Sequence, residues 1–366
     1  MNKREKKAAE AAAAALAAQR EAESTENFEW REDDFEPCGL AALQGDVNFQ
    51  AQSFWRDAIG RFVRNKGAVF AVFCIAIIVI LAIIGPMISD YTYFGQITAQ
   101  QNLAPRIPIL ENLGIFDGSN TLKTTTGHIV QNGYLTNGFQ DVYYWFGSDT
   151  LGRDIWTRTW MGTRISLYIA LVAVLCDMLI GMTYGLISGY FGGKVDTVMQ
   201  RIVEIANSIP TLVIVTLLLI VLKPGLQTIT LALVLTGWIG MSRIARAQML
   251  KLKEQEFVLA SRTLGAGSKR IIFKEILPNI ISQLITNTMF SIPNAIFTEA
   301  FLSFVGLGVP QPMCSLGSLI SDAYKVFTIY PYQIIPPVIV LALLMMCFNM
   351  LGDGLRDAFD PKMKQM

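Results

Sequence analysis

Six apolar runs, at 68–88, 166–191, 205–222, 226–245, 280–304 and 333–351, partition this chain. A helix of about 20 residues crosses the hydrocarbon core of a bilayer and satisfies its own backbone polar groups while doing so. A chain carrying several such runs is therefore confined to helical bundles that span the membrane. Composition agrees, with 52% hydrophobic and 16% charged residues and a mean hydropathy of +0.41, where a soluble domain carries about 25% charged residues. The expected fold class is an all-α polytopic membrane protein of six transmembrane helices. The run at 226–245 is the weakest of the six, because Gly237 and Gly240 interrupt it and Arg243 and Arg246 crowd its end.

An even number of spans puts both termini on one side, and the basic residues say which. With the amino terminus inside, segments 1–67, 191–204, 242–283 and 353–366 hold 23 of the 30 Lys and Arg residues, the bias of cytoplasmic segments. Both termini are expected in the cytoplasm of a cell with this chain in its plasma or inner membrane. The net charge of +1 argues against a nucleic-acid partner. The first apolar run begins only near Ala68, after a charged stretch, and is expected to act as an uncleaved signal anchor. Residues 1–48, Ala-rich and then acidic from Glu26 to Glu36, read as a cytoplasmic tail that is either a solvated helix or disordered. In segment 49–67, Phe54, Trp55, Ala58, Ile59, Phe62 and Val63 share a helical face opposite Arg56, Arg61, Arg64 and Lys66, the pattern of an interfacial helix. The first span, 68–89, leads to an outer segment, 90–165. Its part 90–146, rich in Gly, Thr, Asn and aromatic residues, is either a small extracellular subdomain that meets a substrate-binding protein or a spacer. Five more spans make a core domain, 166–352, followed by a cytoplasmic tail, 353–366.

Between the fourth and fifth runs lies EFVLASRTLGAGSKRIIFKEILP, Glu256 to Pro278. Phe257, Ala260, Ser261 and Leu264 share one helical face at spacings of three and four, and Gly265 suits the left-handed residue that ends a helix. Ser268 suits the cap of a second helix running through Glu275, with Ile272 and Ile276 on its buried side, and Pro278 suits the first turn of the next span. A polar hairpin of this kind is either a handle for a soluble partner or an amphipathic linker on the membrane surface.

The order of residue types resembles the cytoplasmic loop of the permease subunits of binding-protein-dependent ABC importers. That motif reads Glu-Ala-Ala, three residues, Gly, nine residues, Ile, one residue, Leu and Pro. Here the register falls on Leu259, Ala260, Ser261, Gly265, Glu275, Leu277 and Pro278, so Ala, Gly, Leu and Pro are kept while Leu259, Ser261 and Glu275 depart. GSDTLGRDIWTRTWMGTRISL (Gly147 to Leu167), EAFLSFVGLG (Glu299 to Gly308) followed by Val309 to Ser321, and LGDGLRDAFDPK (Leu351 to Lys362) resemble the same family, with Cys314 a mild departure in the second of these. Phe54 to Lys66 resembles the elbow helix of the C-type permease subunit of oligopeptide and dipeptide transporters. The resemblance covers about Trp55 to Pro361. It implies the importer-permease fold, with 256–278 as a coupling-helix hairpin that seats in an ATPase subunit through Glu256, Leu259, Ala260, Ser261, Gly265, Leu277 and Pro278. The partners it implies are a second permease subunit, two ATPase subunits and an extracellular substrate-binding protein that delivers peptide, or a related small solute such as nickel. ATP and Mg would be bound by the partner subunits, with no cofactor in this chain, and transport would proceed by alternating access.

The residues themselves offer no catalytic site. GAGSKR at 265–270 lacks the Gly, four residues, Gly-Lys-Ser/Thr spacing of a phosphate loop, so the energy of ATP must come from a partner. His128 is the single histidine, and Cys38, Cys74, Cys176, Cys314 and Cys347 lack metal-ligand spacing, so no metal site is expected. Gly181, Gly185 and Gly189 form a face for close helix packing, within the subunit or toward a partner permease. Asp177 and Glu299 fall inside spans, where a charge costs about 2.5–3.5 kcal/mol on insertion scales. Each is expected to face the bundle interior, either on the translocation path or as hydrogen-bonded glue between helices. Asp149, Arg153, Asp154 and Arg158 are expected to pair with one another at the outer boundary, and Pro210 and Pro293 to kink the third and fifth spans. Two other classes compete: an ion-coupled secondary transporter working through Asp177 and Glu299, which lacks the internal repeat frequent in such proteins, and a membrane enzyme, for which no nucleophile and base stand out.

Overall fold

The computed structural model describes residues 54–108, 110–124 and 127–359. The tail at 1–48, residues 49–53 of the interfacial segment, and 360–366 lie outside the described residues. The helices are α1 (Phe54–Arg64), α2 (Lys66–Ile88), α3 (Ile155–Phe191), α4 (Gly193–Ser208), α5 (Thr211–Leu222), α6 (Leu226–Leu252), α7 (Glu256–Thr263), α8 (Ser268–Leu307), α9 (Leu316–Tyr324) and α10 (Ile335–Phe359). Five of them, α2, α3, α6, α8 and the helix ending at Phe359, are long and apolar enough to cross a membrane. The pair α4 and α5, bent by 80°, is long and apolar enough to be a sixth span when taken together.

That break is in the third run, whereas the fourth, the weakest by sequence, is one 27-residue helix. Pro210 lacks an N–H to continue α4, and Ile209 before it takes an extended conformation (φ −87°, ψ 121°). α6 tolerates Arg246 because its guanidinium Nε donates to Asp196 Oδ1 of α4 at 2.6 Å. It tolerates its glycines for packing reasons given below. Pro293 lies inside α8 without breaking it.

The helix directions require the sixth crossing. Gly181 faces Met241, Gly185 faces Ala245 and Gly189 faces Met249, so the contact positions rise together along α3 and α6 and the two helices run parallel. The segment between two parallel spans has to recross the membrane, and α4 with α5 is that segment. α2 runs antiparallel to α3, with Trp156 Nε1 donating to Gly85 O at 2.9 Å and Arg164 Nε to Ala82 O at 3.1 Å. The carboxyl end of α10 returns to the start of α2, where Asn65 Nδ2 donates to Asp357 Oδ2 at 3.4 Å. Residues 353–359, expected as tail, continue α10. The ends of the first and last spans thus share one face of the bundle with the hairpin at 256–278.

α1 turns into α2 at Asn65, whose Oδ1 accepts from the N–H groups of Gly67 and Ala68 at 3.1 and 3.2 Å. These are two of the donors that a helix start leaves without partners. Trp55, Ile59 and Val63 are exposed while Ala58 is buried, an apolar face suited to the headgroup boundary.

The outer segment folds, and not only as helix. β1 (Ser119–Thr124) and β2 (Gly127–Asn132) pair antiparallel, from Ser119 opposite Asn132 to Thr124 opposite Gly127, an addition to the helical bundle that the sequence reading does not contain. Leu103, Tyr134 and Tyr144 form its core. Tyr134 OH donates to Ala104 O at 2.7 Å and Tyr144 OH to Gln100 Oε1 at 2.5 Å. Burial pushes both phenols above their ordinary range, which keeps them protonated donors. A buried core of this kind makes the segment a small subdomain and not a bare spacer.

α3 starts at Ile155, well before the run at 166, because Asp154 caps it by accepting from the Trp156 and Thr157 N–H groups at 3.3 and 3.0 Å. Asp154 therefore serves as a cap and not as an ion-pair partner. Arg153 Nε meets Asp149 Oδ2 at 2.6 Å and Arg158 Nε meets it at 3.7 Å, while Asp322 of α9 adds a second carboxylate at 3.9 and 4.0 Å from the two guanidinium groups.

Candidate functional site

Two features stand apart from ordinary bundle packing: the hairpin and a polar cavity. The hairpin starts where α6 ends, and Lys253 Nζ ties it to the carboxyl end of α3 by donating to Gly189 O at 3.1 Å. Glu256 sits in the first turn of α7, where a carboxylate suits the positive end of the helix dipole. Gly265 has φ +85°. Ala266 N donates to Ser261 O at 3.1 Å and Gly265 N to Arg262 O at 3.0 Å, the paired bonds of a Schellman stop. The expected second helix is not separate. Its cap is Gly267, not Ser268, and α8 runs on through a π-helical turn at Ile271–Ile276 into the span. Pro278 removes the N–H that would bond to Lys274 O, and the wide turn, with Leu277 N bonded to Ile272 O, carries the helix past it.

The hairpin has an inner and an outer side. Val258, absent from the sequence-derived face, is fully buried among Leu186, Met249, Ile271, Ile272 and Ile276, and Leu277 packs at the edge of that cluster. Phe257, Leu259 and Leu264 are 41%, 46% and 88% exposed; Glu256, Ala260, Gly265 and Pro278 are exposed too, and Ser261 is half-buried. Val258 joins the exposed side of the hairpin to a cluster shared by α3, α6 and α8.

The cavity, of about 310 Å³, lies between α3, the α4–α5 break, α6 and α8. Asp177, Asn207, Thr236, Arg243, Ser291, Asn294 and Thr298 give it a polar lining. Sequence reasoning found only Asp177 among these. The spacing of Ser291, Asn294 and Thr298 at i, i+3 and i+7 is the signal that would have found three more, since it puts a polar stripe on one face of a span. The Asp177 side chain rests against α6 at Gly237, where any Cβ would come within 2.5 Å of its Cγ.

Glu299 is in a different place. Fully buried and outside the cavity lining, its carboxylate accepts from Ser166 Oγ at 2.8 Å and Ser303 Oγ at 2.7 Å. Ser303 in turn accepts from Ser315 Oγ at 3.1 Å. This network ties α3, α8 and the start of α9 together. The structure thus separates the two intramembrane acids, and it turns the face of Gly181, Gly185 and Gly189 onto α6 of the same chain. Among the described residues no group of three or more His, Cys, Asp or Glu side chains is placed to hold a metal ion.

Residues 181–365 match the model of the binding-protein-dependent transport system inner membrane component family. The chain belongs to that family. Residues 53–105 match a second model, the N-terminal TM domain of oligopeptide transport permease C. The oligopeptide transport system permease protein OppC of Bacillus subtilis is 41% identical over 334 residues, 90% of this chain and 97% of its own length. The dipeptide transport system permease protein DppC of the same organism is 39% identical over 314 residues, 86% of this chain and 87% of its own. A chain of the MetNI methionine ABC transporter in an inward-facing conformation aligns over 54% of this chain and 94% of its own, with a TM-score of 0.47 and 18% identity. As a member of the family this is a multi-pass membrane transport subunit and not an enzyme, working with a partner permease, ATPase subunits and a substrate-binding protein.

Proposed function

We propose that this chain is one of the two permease subunits of an ATP-driven importer for oligopeptides or dipeptides, with 256–278 as the handle gripped by an ATPase subunit in the cytoplasm. The observation that carries the reading is the hairpin itself: an exposed patch of Phe257, Leu259, Ala260 and Leu264 backed by Val258 in the core. The peptide substrate is supported by relatives named for oligopeptide and dipeptide transport. The cytoplasmic side is supported by the sequence, in which 23 of the 30 basic residues fall in the segments assigned to the same side as the hairpin by the order of the apolar runs. ATP and Mg belong to the ATPase subunits, the two termini to the cytoplasm and the outer subdomain to the exterior, where a peptide-loaded binding protein docks.

The test is transport by the complex in sealed vesicles. Labelled peptide should enter only with the binding protein outside and ATP on the hairpin side, and a Leu264→Cys chain should cross-link to an ATPase subunit. Uptake driven by an ion gradient without the ATPases, or specific nucleotide binding by the isolated chain, would overturn the reading.

A further inference from the structure

The cavity beside Asp177 is chemically one-sided. Asp177 Oδ1 is buried and has no hydrogen-bond partner among the described residues, a costly state for a carboxylate unless something else supplies the donor. The neighbouring hydroxyls do not. Thr236 Oγ1 donates to Ala232 O at 3.1 Å, Ser291 Oγ to Asn287 O at 3.1 Å and Thr298 Oγ1 to Asn294 O at 2.8 Å. A hydroxyl has one proton, so what these three have left is acceptor capacity. The other donors of the lining, the Asn207 and Asn294 amides and the Thr211 hydroxyl, make no bond to Asp177 either, so its carboxylate faces the cavity with acceptor capacity that suits a cationic donor.

A positive charge belongs to the same lining. Arg243 lines the cavity and makes none of the ion pairs found among the described residues. It lies six residues beyond Gly237 on α6, about 9 Å along a helix rising 1.5 Å per residue. An extended peptide covers about 3.3–3.6 Å per residue, so two or three residues separate charges by a comparable distance. The volume of about 310 Å³ is at the lower end for a small-molecule site. A lone carboxylate among neutral hydroxyls and amides, with an arginine in the same lining, is not a divalent-metal site, which takes several oxygen or nitrogen ligands with matched geometry.

We propose that this cavity is a contact site for short zwitterionic peptides in transit, with Asp177 receiving the amino-terminal ammonium group and Arg243 facing the carboxylate. The inference rests on the peptide-importer reading and assigns the residues that make the contact. The break at Pro210 fits it, because irregular backbone at membrane depth is tolerated where it lines a cavity. A site that both admits and releases its cargo has to bind weakly, and two single contacts at the ends of a peptide, with neutral groups between, allow that while ignoring the side chains.

The test uses the assembled importer carrying Asn294→Cys in an otherwise cysteine-free chain. A cationic trimethylammonium thiosulfonate should label that cysteine about tenfold faster than an anionic sulfonate reagent, the scale of one charge-assisted contact. The preference should vanish in Asp177→Asn and survive in Asp177→Glu. Trialanine should slow labelling, and N-acetyl-trialanine amide at the same concentration should not. Equal rates for both reagents, no labelling in any nucleotide state, or protection that ignores acetylation would each overturn the proposal. Protection by sodium ions in place of peptide would make this an ion site and overturn it too. Peptide uptake by the unsubstituted complex is measured alongside. Its absence would indict the peptide reading, whereas uptake that proceeds with an indifferent Asp177 would indict the contact site alone.

Discussion

Gly237 leaves the space that the Asp177 side chain fills, since a Cβ built at position 237 falls within 2.5 Å of Asp177 Cγ. A glycine that looks like a flaw in an apolar span is there for a close approach between α6 and a carboxylate on α3. Gly237→Ala should therefore push the two helices apart and destabilise the chain by about 1–3 kcal/mol, the usual cost of overpacking. Gly60→Ala, where a Cβ meets nothing within 4 Å, should be neutral or slightly stabilising. Thermal unfolding in detergent compares the two, and equal midpoints would remove the steric account of Gly237.

The same logic holds lower in the bundle. A Cβ at Gly185 would lie 2.2 Å from the Ser242 carbonyl oxygen and 2.9 Å from the Ala245 Cβ, so Gly185→Ala should cost about 1–3 kcal/mol. Ala245→Gly in the same chain should recover part of that loss, because the two positions touch and their effects are not additive. A Gly185→Ala midpoint equal to that of the unsubstituted chain would show that these helices do not pack as described.

Glu299 gives a contrasting expectation. Ser166 and Ser303 both donate to its carboxylate, and Glu299→Ala would strand two buried hydroxyls beside a new void, at about 2–4 kcal/mol. Glu299→Gln keeps one acceptor and should cost less. The readout is unfolding together with the peptide preference of uptake. A shift in preference without loss of stability would put Glu299 on the path.

The spans and the hairpin were legible because each is written in a local pattern: apolar length for the spans, and a glycine stop with three- and four-residue spacing for α7. What escaped the sequence depends on partners far along the chain. The fourth run looked weak because Gly237 and Arg246 read as interruptions until Asp177 and Asp196 are seen against them. The start of α3 was missed because a cap on Asp154 and indole packing on Gly85 outweigh a modest local hydropathy. The cavity gathers side chains from four elements of which only Asp177 announces itself, as an acid in a span. Val258 was invisible for another reason: the helix has apolar residues on both sides, and only tertiary contact tells which one is buried.

The stop at Gly265 leads to a prediction about coupling. Its φ of +85° costs an ordinary L-residue about 1–2 kcal/mol, and an aspartate would add a negative charge at the helix end where carbonyls already gather. Gly265→Asp should abolish uptake by the assembled complex while the chain still inserts and pairs with its partner permease. Gly265→Asn, which shares aspartate's tolerance of the left-handed region but carries no charge, should keep most of the activity. Wild-type uptake by the aspartate variant would mean that the hairpin is not the point of ATPase attachment.

Sidedness is the last expectation, and it tests the span count directly. α3 and α6 run parallel, so the bent α4–α5 pair must cross the membrane. The outer subdomain at Ser119 and the hairpin at Ser268 are then separated by an odd number of crossings: α3, α4 with α5, and α6. Single cysteines introduced at these two positions in a cysteine-free chain should report opposite sides. An impermeant thiol reagent should label Ser119→Cys in intact cells and Ser268→Cys only after permeabilisation. Labelling of both in intact cells would mean that the bent pair is a re-entrant loop and not a span. The hairpin would then lie outside the cell, where no ATPase subunit could reach it.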